Sequence, residues 1–83
     1  MNTYDPLREF LSRQSAEEIV LAFAEIEKLT GEPLPDSAKK YDAFWANEDP
    51  SETRHYHCRA WRNAGYKAKA DRARKIVTFR KDK

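Results

Sequence analysis

Cysteine is nearly absent. The single Cys58 cannot form an intrachain disulfide, which excludes a secreted mini-protein held by bridges. Glycine is almost as scarce, and Gly31 and Gly65 alone cannot build a glycine-rich phosphate cradle. No run approaches the roughly 18 apolar residues of a membrane-spanning helix, so no membrane role is expected. The opening MNTYDPLREF has no basic stretch followed by an apolar block. No signal peptide is therefore expected, and the chain reads as a soluble cytoplasmic protein. Repeats and low-complexity tracts are also missing.

What is present is one domain's worth of chain, 1–83. A chain this short buries only about 60% of its unfolded surface on folding, so its stability is modest. Hydrophobic residues make up 40% and charged residues 36%, too apolar for a disordered chain and too charged for a large core. The ten aromatic residues are expected to carry that core. An independent enzyme would be unusual at this length, and none is expected.

The net charge of +2 conceals a polarity. Met1 to Asp36 holds eight acids and three bases, a net −5, whereas Ser37 to Lys83 holds 13 bases and six acids, a net +7. From Thr53 onward there are 11 bases against Asp71 and Asp82. Such a basic segment suits a polyanion, most commonly nucleic acid. The other reading is that the two halves attract each other within the fold or across an oligomer.

Asp5-Pro6 predicts a helix start with Asp5 as N-cap, the helix covering about 6–12. Ser15 to Thr30 admits two readings. Ser15 with Glu18 fits a capping box, and Ile19, Phe23, Ile26 and Leu29 fit one helix over 16–30 ending at Gly31. Glu18 to Phe23 also fits a short β-branched strand followed by a helix over 24–30. After the extended Pro33-Leu34-Pro35, Asp36 or Ser37 caps a helix through Asn47 that buries Ala38, Tyr41, Phe44 and Trp45. Asp49, Pro50 and Glu52 predict a further helix from 50 to 64, closed by Gly65. The period then changes to two. Tyr66 to Ala70 and Lys75 to Arg80 read as a β-hairpin turning at Asp71-Arg72-Ala73-Arg74. Tyr66, Ala68, Val77 and Phe79 face the helices, and Lys67, Lys69 and Arg80 face outward.

The expected fold class is α+β: a small helical domain of three to four helices with a C-terminal β-hairpin. If 18–23 is a strand it can join the hairpin in a three-stranded sheet. The domain then resembles a winged helix, with the helix before the hairpin in a major groove and the hairpin as wing. An additional helix over 37–47 departs from that plan.

Leu34-Pro35-Asp36-Ser37-Ala38, Tyr41, Phe44-Trp45 with Asn47, Ala60-Trp61 with Ala64-Gly65, and Val77 with Phe79 form a spaced pattern. Along most of its length the sequence resembles a family of short uncharacterised bacterial and phage proteins. Their pattern is L-P-x-S-A, Y, W-W-x-N, A-W-x-x-A-G and V-x-F, with Phe44 here standing for a tryptophan. The resemblance implies a compact domain and no particular activity.

On a helix over 50–64, Thr53, His57, Ala60, Trp61 and Ala64 share one side, and His55, Cys58, Arg59 and Arg62 share the other, flanked by Arg54 and Asn63. Arginine suits guanine edges and phosphates, and asparagine suits adenine. Lys67, Lys69, Arg72, Arg74, Lys75 and Arg80 add a basic hairpin of the kind that follows a phosphate backbone. The bland reading of Lys67 and Lys69 is protection of an edge strand from aggregation. His55 and His57 fall about 200° apart on a helix, so no metal site is expected there, and no cofactor is implied. Trp45 and Trp61 read as core, and Glu17, Glu18, Glu25 and Glu27 as a solvated acidic face.

The expected function is therefore double-stranded DNA binding by a small regulator or accessory subunit. Sequence-specific readout would require a homodimer or a partner. The alternative is a protein-interaction module, such as a phage-encoded inhibitor or toxin–antitoxin component, acting through its charged faces. The acidic N-terminal third is the candidate surface for that protein partner.

Overall fold

The computed structural model describes residues 3–82. It runs α1 (Asp5–Ser12), β1 (Glu18–Ala22), α2 (Phe23–Thr30), α3 (Asp36–Lys40), a 3-10 turn (Asp42–Trp45), α4 (Tyr56–Asn63), β2 (Tyr66–Asp71) and β3 (Ile76–Lys81). The fold is a small α+β domain with one antiparallel sheet in the order β1-β3-β2. The helices cover one face of that sheet.

Of the two readings of Glu18 to Thr30, the strand followed by a helix is the one the chain adopts. Ile19 and Leu21 pair with Phe79 and Val77. Ala22 stays extended, with φ −71° and ψ 155°, and its N–H donates to Glu25 Oε1 at 2.9 Å. That bond satisfies a backbone donor as strand passes straight into helix. No helix starts at Ser15, so the Ser15–Glu18 capping box does not form. Asp5 lies inside the first turn of α1 rather than capping it, and Tyr4 precedes the helix. Gly31, at φ +77°, ends α2 in the left-handed conformation that glycine adopts without a Cβ clash.

The expected helix through Asn47 is two pieces. Tyr41 is extended, with φ −129° and ψ 131°, and points into solvent at 61% exposure instead of joining a buried stripe. The break lets Trp45 turn inward, where its Nε1 donates to Ala38 O at 2.9 Å. The expected helix over 50–64 is likewise shorter, because residues 50–55 form turns and extended chain. Asp49 does not cap a helix. Its Oδ1 accepts from Ser51 N (2.9 Å) and Ser51 Oγ (2.7 Å), a local turn that competes with helix. The buried Thr53 hydroxyl donates to Glu48 Oε1 at 2.6 Å and accepts from His55 N at 3.1 Å, so the helix begins only at Tyr56.

The hairpin follows its sequence pattern. Tyr66, Ala68, Val77 and Phe79 are buried, whereas Lys67, Lys69 and Arg80 are exposed. Leu7, Leu11, Ile26, Cys58, Trp61, Tyr66, Val77 and Phe79 are fully buried. Through them runs an aromatic column, Phe23–Trp45–Trp61–Phe79, with ring centroids 5.5, 5.6 and 6.0 Å apart. Each such ring pair adds about 0.5–1.5 kcal/mol beyond area burial. Both tryptophans are core, as expected.

Candidate nucleic-acid interface

Antiparallel register fixes the outer face of the sheet. Glu18, Arg80 and Lys67 form one row across it, and Val20, Thr78 and Lys69 the next. Period-two alternation puts all six on the side away from the helices. Lys67, Lys69, Arg80 and Lys81 thus line one open groove of about 740 Å³, together with Glu18 and Asp71.

Acids from the chain already hold several of these bases. Arg62 donates to Asp82 Oδ2 at 2.9 Å, and Lys67 Nζ lies 3.7 Å from Asp82 Oδ1. The Arg62 hydrogen bond, seconded by Lys67, holds the Asp82 carboxyl below its usual range. Arg80 lies 3.5 Å from Glu18, and Arg74 lies 3.9 Å from Asp71. Arg72 bonds Asp42 Oδ1 at 2.6 Å and Lys40 O at 2.7 Å, which ties the hairpin tip to α3 instead of leaving it as a projecting arm. Of these pairs Arg80–Glu18 alone joins the acidic first part of the chain to the basic remainder, and the others are internal to residues 37–83. Exposed pairs of this kind contribute little, about 0–1 kcal/mol each, and exchange readily for phosphates. Lys69 and Lys75 are in no ion pair within 4.0 Å among the described residues. Lys75 takes φ +57° at the hairpin tip.

The α4 region differs from the expected basic face. Arg54 and His55 precede the helix. His55 Nδ1 lies 2.7 Å from Glu48 Oε1, and hydrogen bonds from Thr53 and His55 hold Glu48 below its usual range. Cys58, expected beside the arginines on an open face, is buried, and its Sγ donates to Ala46 O at 3.3 Å. Burial pushes the thiol up, away from nucleophilic use. Arg59 is half-buried over the Tyr56 ring at 5.8 Å. The Arg62 side chain is only 17% exposed, so its fork is turned to Asp82 rather than to a groove. Asn63 remains exposed at the end of the helix.

The helical-wheel separation of the two histidines also fails, because His55 lies outside α4. Their rings stack at 5.4 Å, and His57 stacks on Phe44 at 3.8 Å. Burial lowers the His57 pKa. Among the described residues no three His, Cys, Asp or Glu side chains form a metal-binding group, and no helix is long and apolar enough to cross a membrane.

A family model covers residues 4–83, nearly the whole chain. The chain belongs to the family described as a domain of unknown function, DUF7662. No curated protein matches it, and no solved structure matches it. Within this DUF7662 domain two groups to which sequence reasoning gave no such part, Asp82 and Thr53, organise the region by hydrogen bonds with Arg62 and Glu48. Asp82 pairs with a residue 20 positions away, a separation no local pattern records.

Proposed function

We propose that the domain binds double-stranded nucleic acid, DNA in the first instance, through the outer face of its sheet and the neighbouring end of α4. The observation that carries this reading is the placement of Lys67, Lys69, Arg80 and Lys81 along one open groove. Further support comes from Lys75 at the tip and from Arg54 and Asn63 near α4. The sheet order β1-β3-β2, with β1 after α1 and the β2–β3 hairpin after α4, is compatible with a winged-helix plan. Two departures shift the reading from base readout toward phosphate contact: Arg62 is held by Asp82, and the hairpin tip is tied to Asp42. Phosphate contacts position a protein on a duplex without reading its sequence. The domain would then act as an accessory or architectural module, with specificity supplied by a second copy or a partner.

The test is fluorescence anisotropy of a labelled random-sequence duplex between about 50 and 200 mM salt, the range over which counterion release is resolved. Four to five phosphate contacts give a log–log slope of about −4. Absence of binding at the lowest salt overturns the reading.

One observation favours a protein partner instead. Val20, on edge strand β1, is 53% exposed on the outer face, and on the other side of that strand Phe10, Leu21 and Leu29, with Glu25 and Lys28, line a groove of about 360 Å³. An exposed edge strand with an apolar flank is a place for another chain to add a strand. In that reading the acidic N-terminal half is the working surface, and charge reversal at Glu25 affects capture of the partner more than any change at Lys69.

A further inference from the structure

Four of the eight arginines are in ion pairs within 4.0 Å: Arg62, Arg72, Arg74 and Arg80. Among the described residues Arg8, Arg13, Arg54 and Arg59 are in none. Two of these, Arg8 from α1 and Arg59 from α4, are half-buried and line the same cleft, about 220 Å³, between the two helices. Asp5, Tyr56, Ala60 and Asn63 complete its walls.

Half-buried arginines usually have a carboxylate beside them, because a charge withdrawn from water needs compensation. Here neither Arg8 nor Arg59 is ion-paired within 4.0 Å among the described residues, although Asp5 shares their cleft. The Tyr56 ring lies 5.8 Å from the Arg59 guanidinium and supports its plane. Arg59 Nε is covered and has no acceptor among the described residues, which leaves the terminal nitrogens to engage an anion. Asp5 is the one acid on the cleft. It is engaged in an interaction of its own and sits in the first turn of α1, where the helix dipole favours negative charge.

We infer that Arg8 and Arg59 clamp a phosphate group, with the Asn63 amide and the Tyr56 hydroxyl as neutral donors. Two planar forks meeting a tetrahedral oxyanion give parallel N–H···O bonds, a geometry that lysine does not offer. The cleft is larger than a bare phosphate, so it also takes part of what carries the phosphate. The inference rests on the nucleic-acid reading only for that carrier, which is either a phosphodiester of a strand lying along α4 or a small phosphorylated molecule.

The experiment follows backbone amide resonances of the full chain during titration with inorganic phosphate, then with the random-sequence duplex. Saturable shifts at Arg8 and at Arg59 to Asn63 are expected. Arg8→Ala and Arg59→Ala each weaken phosphate binding about tenfold or more, while Arg13→Ala, which removes the same charge just past the end of α1, leaves it unchanged. Arg59→Lys keeps the charge and loses the fork, so it binds between wild type and Arg59→Ala. It serves as the test if Arg59→Ala does not fold. Absence of a saturable phosphate shift overturns the inference, even if the duplex binds elsewhere and the nucleic-acid reading stands. Equal weakening by Arg13→Ala also overturns it. Phosphate shifts that the duplex displaces assign the carrier as a strand. Phosphate shifts with no duplex binding keep the cleft, assign it to a small phosphorylated molecule and overturn the nucleic-acid reading.

Discussion

Asn47 closes on the backbone of Ala68 with both halves of its amide. The Ala68 N–H donates to Asn47 Oδ1 at 2.7 Å, and Asn47 Nδ2 donates to Ala68 O at 2.9 Å. The same Oδ1 accepts from Trp61 Nε1 at 3.0 Å. One side chain thus stands in for a fourth strand at the β2 edge and satisfies the polar atom of a fully buried tryptophan.

Asn47→Ala leaves the Trp61 N–H and both Ala68 groups without partners. A buried donor or acceptor so orphaned costs about 1–3 kcal/mol. Loss of about 2–4 kcal/mol is expected in urea unfolding, large for so small a domain. Asn47→Asp keeps the shared acceptor and costs less than Asn47→Ala.

His57 makes stability depend on pH. Its folded pKa is lowered from 6.5, chiefly by burial, so the unfolded chain binds the proton more readily. Stability is then complete above the unfolded value and falls as pH drops below it toward the folded value. Urea midpoints measured from about pH 7.5 to 5.5 should decline, and His57→Phe should flatten that decline. Glu48, Asp49 and Asp82 are also lowered and act in the same direction, in a window that begins only below about pH 4.5.

Lys75 at φ +57° occupies the left-handed region, which costs a non-glycine residue roughly 1 kcal/mol. Lys75→Gly is expected to raise Tm by about 4–8 °C in a thermal melt. If the nucleic-acid reading holds, the same change removes one phosphate contact and makes the salt slope shallower by about 1.

Asp82 restrains two bases at once, Arg62 and Lys67. Asp82→Asn releases both toward a polyanion. Duplex affinity at low salt should rise about threefold to tenfold, with a steeper salt dependence in the anisotropy titration. Unchanged affinity would show that these two bases lie off the interface.

The hairpin was legible because alternation around Val77 and Phe79 admits one register with both residues inward. The capping glycines and the core tryptophans were legible for similarly local reasons. Glu18 to Phe23 stayed ambiguous because Ile19 and Phe23 satisfy helical spacing while Ile19 and Leu21 satisfy strand alternation. Only pairing with β3, some 55 residues later, decides between them. The Asp49-Pro50 signal misled because Asp49 serves Ser51 instead of a helix. The arginines misled in another way. Counting charges does not record that Arg62 already has Asp82, or that Arg59 shares a cleft with Arg8.

The sheet is assembled out of chain order. Its central strand, β3, is the last of the three to emerge during synthesis, and both edge strands precede it. Neither β1 nor β2 has a partner until β3 arrives. The Glu18 to Ala22 segment therefore stays an unpaired apolar stretch until β3 is made. Loss of the final strand would remove the middle of the sheet and leave two strands that never touch each other.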